Sequence, residues 1–189
     1  AVCGYEGVVE AFLQAGARVD SVDKFGNTPL SLAVCRGHEG AVKALLTAGA
    51  SVDRVDEFGD TPLSIAAEMG YNGMVKALLA KGARVDSADD SRHSPLLSAA
   101  MRGHERVVEA LLYAGAKVDP VDKFGFTPLS SAAKMGYDGV VKTLLARGAR
   151  VDSMNEFGHT PLSWAAQRGN ERVVKILLKA GARVNTVDK

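Results

Sequence analysis

Apolar residues in this chain gather in short clusters separated by turn residues. Between Asp56 and Ala88, Leu63, Ile65, Ala66 and Ala67 form one cluster, and Met74, Val75, Leu78 and Leu79 form a second. The second cluster follows i, i+1, i+4, i+5 and predicts one apolar face of a helix over about Asn72 to Ala80. The first is framed by Thr61-Pro62 and Gly70. Threonine is a good N-cap, proline suits the first helical turn because its missing N–H costs nothing there, and glycine suits the C′ position. A short helix therefore fills the space between them, and Gly82 stops the second helix. The stretch Asp56-Glu57-Phe58-Gly59-Asp60 reads as a turn, with Gly59 free to take a positive φ.

The same order returns along the whole chain. The Thr or Ser before proline falls at 28, 61, 94, 127 and 160, so every step is 33 residues. A second marker, Gly-Ala-x-Val-(Asp/Asn), starts at Gly16, Gly49, Gly82, Gly115, Gly148 and Gly181. Strict spacing of this kind is the sign of a repeat array. Helices this short do not hold alone in water, and each is apolar on more than one side. Stacking against the preceding and following pairs buries those sides. Ala33, Ala66, Ala99, Ala132 and Ala165 share one register, where a bulky residue would overpack the junction.

The succession of turn, Thr-Pro-Leu, Ala-Ala, Gly-His or Gly-Tyr, Val-Val, Leu-Leu and Gly-Ala-x-Val-Asp resembles the ankyrin repeat over essentially the entire chain. That family's repeat has the same 33-residue period. The resemblance implies an all-α ankyrin-repeat solenoid of stacked helix-turn-helix units with β-turn or hairpin fingers. It divides residues 1–189 as a single array: a half repeat 1–22, repeats 23–55, 56–88, 89–121, 122–154 and 155–187, and a stub at Asp188-Lys189.

Three departures stand out. The family's histidine after Thr-Pro-Leu is Ser31, Ser64, Ser130 and Ser163 here, and Leu97 in the third copy, which removes an imidazole that in the family helps tie neighbouring units. The finger glycine is Arg92 in the third copy, so that finger is either strained at positive φ or reshaped. The finger aspartate is Asn155 in the last copy, a mild change. Gly-Tyr and Gly-His alternate after the first helices, whereas the fingers pair across 99 residues, as in Val22–Gly26 with Val121–Gly125. Mixed periods of this kind point to duplication and shuffling of units and not to one consensus copied by a designer. The Thr-Pro-Leu-Ser variant is similar to arrays that form tails of large fungal receptor-like proteins. The chain begins inside a unit, so the reading takes it as a fragment from which a targeting signal could have been lost.

Composition narrows the function. A formal charge of +1 gives no basic excess of the kind nucleic acid binding uses. No run approaches 18 apolar residues, and the N-terminus lacks a basic stretch followed by an apolar core, so neither a membrane span nor a signal peptide is expected. Cys3 and Cys35 are read as free thiols of an intracellular, cytoplasmic protein. His38, His93, His104 and His159 form no ligand-spaced cluster, so no metal or cofactor is expected. The glycines follow the repeat period and serve turns and caps, not a phosphate loop. The serines recur by symmetry, where a nucleophile would stand once beside its own base. The chain is read as no enzyme.

What remains is surface. In the ankyrin family partners usually bind the concave face made by fingers and first helices. Carried over by position, the candidates here are Phe126, Met101, Arg102, Lys134, Met135, Arg36, Met69, Arg168, His93 and His159. Arginine, methionine and aromatics are enriched in interface cores. Phe126 is the best anchor, because its register holds Asn27, Asp60, His93 and His159 elsewhere, whereas Phe25, Phe58, Phe124 and Phe157 recur and serve equally well to pack finger on finger. The function expected is a protein–protein interaction module with an unknown protein partner. The alternative is a structural spacer or designed scaffold without a dedicated ligand. Lys43, Lys76, Lys142 and Lys175, with Arg84, Lys117, Arg150 and Arg183 nearby, read as a solvated back face or a site for an acidic partner. Val8, Val9, Phe12 and Leu13 at one end, and Trp164, Val173, Val174, Ile176, Leu177 and Leu178 at the other, keep the pattern of internal units. Without polar caps they are expected to expose apolar surface and to support head-to-tail self-association.

Overall fold

A computed structural model describes residues 6–184 of the chain. The expectations for Ala1-Val2-Cys3, Tyr5 and the Asp188-Lys189 stub lie outside the described residues. Helix α1 (Glu6–Gln14) is followed by five helix pairs: α2 (Pro29–Cys35) with α3 (Glu39–Thr47), α4 (Pro62–Glu68) with α5 (Asn72–Ala80), α6 (Pro95–Arg102) with α7 (Glu105–Tyr113), α8 (Pro128–Met135) with α9 (Asp138–Ala146), and α10 (Pro161–Gln167) with α11 (Glu171–Lys179). The first helices, α2, α4, α6, α8 and α10, pack side by side in one row, and α1, α3, α5, α7, α9 and α11 form the second. The result is an all-α repeat solenoid.

The start of each first helix follows from its sequence. Thr28, Thr61, Thr127 and Thr160 adopt extended backbone at the N-cap, with proline at the first helical position. Each threonine Oγ accepts the N–H of the serine three residues on, and that serine's Oγ accepts the threonine N–H at 2.9 Å. The serines standing where the family has histidine thus close reciprocal caps inside their own unit. Ser94 receives the Leu97 N–H at 3.2 Å, but Leu97 has no oxygen to return the bond. A cap of this type stabilises by about 1 kcal/mol. In exchange, Leu97 is fully buried.

Between units other groups take over the histidine's expected task. The aspartate of Gly-Ala-x-Val-Asp reaches the next unit's corresponding loop. Asp20, Asp53, Asp86 and Asp152 accept the N–H of Ser51, Arg84, Lys117 and Arg183 at 2.9–3.0 Å, and Asp119 accepts that of Arg150 at 3.2 Å. Tyr71, His104, Tyr137 and Asn170 each lie against the glycine ending the previous unit's first helix. A Cβ on Gly103, for example, would stand 2.8 Å from the Tyr137 ring. His104 Nε2 also lies 2.9 Å from the Glu68 carbonyl, and Asn170 Nδ2 donates to the carbonyls of Ala133 and Lys134. Ala33, Ala66, Ala99, Ala132 and Ala165 have no exposed surface, which is why that register holds only a small side chain.

The fingers are loops: among the described residues there is no β-strand, which corrects the hairpin expectation. Each finger closes on its own side chain. Asp23, Asp56, Asp89, Asp122 or Asn155 presents Oδ1 to the N–H groups two and four residues on. Neighbouring fingers share one backbone bond, from Glu57 to Phe25, Asp90 to Phe58, Lys123 to Ser91 and Glu156 to Phe124. One bond per junction makes no ladder. Asn155 keeps the loop form, yet its Nδ2 is buried without a partner among the described residues.

Arg92 takes φ +62°, the single positive-φ residue other than glycine among the described residues. The third finger therefore keeps the shared shape and carries strain. Its two links to neighbouring fingers are 3.3 Å, against 3.0 Å for the Glu57 and Glu156 links. Replacing Arg92 with Gly is expected to raise stability by about 1 kcal/mol, the scale of the left-handed penalty. Chemical denaturation of R92G beside the parent tests this, and an unchanged or lower midpoint would refute it. Amide exchange in the parent should open residues 89–93 before the fingers at 56 and 122.

Candidate protein-binding face

At the junction of the fourth and fifth units, finger residues meet side chains of the first helices. Phe126 ends the fourth finger, one residue before the Thr127 cap, and Trp164 lies on α10 in the register of Leu32, Ile65, Ser98 and Ser131. Their ring centroids are 5.5 Å apart at an interplanar angle of 32°. His159 packs against the indole with ring centroids 4.5 Å apart. Lys134, in the last turn of α8, places Nζ 5.0 Å from the Phe126 centroid and 4.4 Å from that of Trp164. A cation over two ring faces is held by their quadrupoles, and the end of a helix also favours positive charge. All four side chains are half-buried, so the cluster is fixed yet reachable.

Three of these four were legible as candidates. Trp164 is not among them: its pattern groups it with the apolar surface left for a following unit, whereas its ring packs back onto Phe126. Being the only tryptophan in a register of Leu, Ile and Ser was the available signal. Trp164 Nε1 is buried with no partner among the described residues.

The other candidates lie outside this cluster. Met69, Met101 and Met135 are exposed. Arg102 bonds Glu68 of the preceding unit at 2.6 Å. His93 Nδ1 lies 3.3 Å from Asp89 and its Nε2 3.9 Å from Asp122, so it sits between two fingers. Arg36 and Arg168 are exposed at the C-caps of α2 and α10. Phe124 and Phe157 stack at 6.3 Å, so at that junction the repeated phenylalanines do pack finger on finger, while Phe25 and Phe124 each lie beneath a lysine of their own finger, Lys24 and Lys123.

In the second finger Asp60 occupies the register of Phe126. Burial, first, holds the Asp60 carboxyl above its ordinary range, and the Ser64 hydroxyl bond opposes this, while Asp56, Asp89 and Glu68 push it further up. A carboxyl raised in the folded state stabilises the fold at pH values below its unfolded range, and that contribution is lost as pH rises through the folded value. Asp60→Asn is therefore expected to stabilise the array at neutral pH, by roughly a few tenths of a kcal/mol given its partial exposure, with the gain vanishing in acid. Asn27 in the same register already donates to Asp23 at 3.1 Å. Thermal midpoints of both proteins between acid and neutral pH check the sign, and a gain that persists in acid would contradict it.

On the opposite side, Lys142 pairs with Asp138, while Arg84, Arg150 and Arg183 pair with Asp53, Asp119 and Asp152. Arg84, Arg150 and Arg183 thus pair across units, whereas the Lys142–Asp138 pair lies within α9. Cys35 is an exposed free thiol, and Cys3 lies outside the described residues.

Stacked helix pairs joined by Asp-closed fingers, with no helix among the described residues long and apolar enough to cross a membrane, define a helical repeat scaffold. The sequence profile of ankyrin repeats matches in three copies, over residues 1–89, 74–155 and 96–188, and the chain belongs to the ankyrin-repeat family. No curated protein matches it. Ankyrin repeats are generally protein–protein interaction modules, typically without enzymatic activity.

Proposed function

We propose that this array binds a partner protein through the face formed by its fingers and first helices, centred on Phe126, and that it acts by binding, not catalysis. The observation that carries the reading is the Phe126–Trp164–His159–Lys134 cluster. It is built on positions that differ between copies: Phe126 stands where the other units have Asn, Asp or His, and Trp164 where they have Leu, Ile or Ser. Binding hot spots are enriched in Trp, Tyr and Arg and cluster in well-packed central patches. Met101, Arg102 and Met135 extend the patch toward the third unit, Arg168 ends the helix that carries Trp164, and Met69, Arg36 and His93 lie in earlier units. Affinity capture with the parent array, with Phe126→Ala/Arg102→Ala, and with Lys142→Glu/Lys175→Glu tests it. A spacer without a ligand would capture the same proteins with all three. The exposed thiol of Cys35 suits a reducing compartment, which favours the cytoplasm.

The outer helices support a second contact. Val8 and Phe12 on α1 and Leu178 on α11 are 49%, 64% and 43% exposed, although Val173 and Leu177 are buried. A second copy stacked head to tail would cover these faces, because the two ends are different surfaces and leave the assembly open. Sedimentation should show mass rising with concentration, and less so in Phe12→Ser. A clean monomer at every concentration would overturn this.

A further inference from the structure

We propose that Lys134 and Arg168 together receive a carboxylate from an acidic segment of the partner protein, with Phe126 and Trp164 as the apolar floor beside it. The inference rests on the finger-side face being the binding face. The Glu68–Arg102 pair, at 2.6 Å, joins residues 34 positions apart in neighbouring units. The same 34-residue step leads from Cys35 to Met69, from Met101 to Met135 and from Lys134 to Arg168. One junction of the array thus holds an internal ion pair, and the junction two units farther on sets two cations in the same places.

Neither cation has a carboxylate within ion-pair distance among the described residues. Lys134 folds instead over the Phe126 and Trp164 rings, and Arg168 is exposed at the C-cap of α10. The nearby finger carboxylate, Glu156, is exposed and forms no ion pair. Helix ends favour cations, but Glu68 occupies Lys134's place at the end of α4, so the position does not demand one. What the junction lacks is the anion that Glu68 supplies to Arg102. Two cations beside exposed aromatic surface select a segment with Asp or Glu next to an apolar side chain.

A random-peptide display selection on the folded chain tests this, followed by titration of the recovered peptides. Trp164, the only tryptophan, reports occupancy by its fluorescence. Recovered peptides should be enriched in Asp or Glu adjacent to an apolar residue. Lys134→Met should weaken them about tenfold, the scale of a hydrogen bond to a charged group, whereas Lys134→Arg should nearly retain binding. Arg168→Gln should weaken them in the same direction, and added salt should weaken the parent complex. Circular dichroism and thermal midpoints confirm that the variants fold. Peptides lost on Phe126→Ala but without acidic enrichment, or indifferent to Lys134→Met, would overturn the carboxylate and leave the binding face standing. Peptides indifferent to both substitutions, or none recovered, would overturn both.

Discussion

Leu96→Ala is expected to lower the stability of the array by about 2–5 kcal/mol, the cost of removing a fully buried leucine and leaving a cavity. Leu96 has no exposed surface on α6, which packs against α4 on one side and α8 on the other. The loss therefore weakens two junctions at once. It falls in the unit that also carries the strained Arg92 and the one-sided Ser94 cap. In a linear array stability is approximately a sum of unit and junction terms, so a break in the middle separates two blocks. Denaturation followed by far-UV circular dichroism should show an early phase that Trp164 fluorescence, reporting the junction of the last two units, does not. Leu162→Ala should cost less, because Leu162 is 8% exposed on the last first-row helix. A Leu96→Ala loss below about 1 kcal/mol with coincident probes would show that the units are not coupled in this way.

Phe126→Ala with Arg102→Ala is expected to weaken partner binding by at least about 1–2 kcal/mol, the scale of interface hot spots. The aromatic change removes the ring that orders Trp164 and Lys134. The arginine change removes a surface cation and frees Glu68 to oppose an acidic partner. Neither side chain closes a finger or caps a helix, so the thermal midpoint should move little. Lys142→Glu with Lys175→Glu should leave binding unchanged. The reverse pattern would move the site to the second helices.

Much of the fold was legible because its determinants are local. Thr61-Pro62 marks the start of a helix and Gly70 its end within the unit's own sequence, and the helices appear at Pro62–Glu68 and Asn72–Ala80. The features that escaped sequence reading act between units. Asp53 could be read as a loop residue, but nothing local shows that it accepts the Arg84 N–H of the next unit. Ser64 looked like a lost histidine because its role as the return half of a cap is more often taken by Glu or Gln. Trp164 was assigned to the wrong neighbour because a periodic sequence marks a register without saying whether the side chain leans forward or back. Phe126 is non-repeating in the sequence, and its packing partners appear only with the distances.

The most direct measurement is amide hydrogen exchange of the array alone and with a captured partner bound. The account predicts new protection in the fourth and fifth fingers, residues 122–127 and 155–160, and around Met101–Arg102 and Lys134–Met135, with the second helices unchanged. Protection confined to the second helices, or none beyond that of the free array, would contradict it.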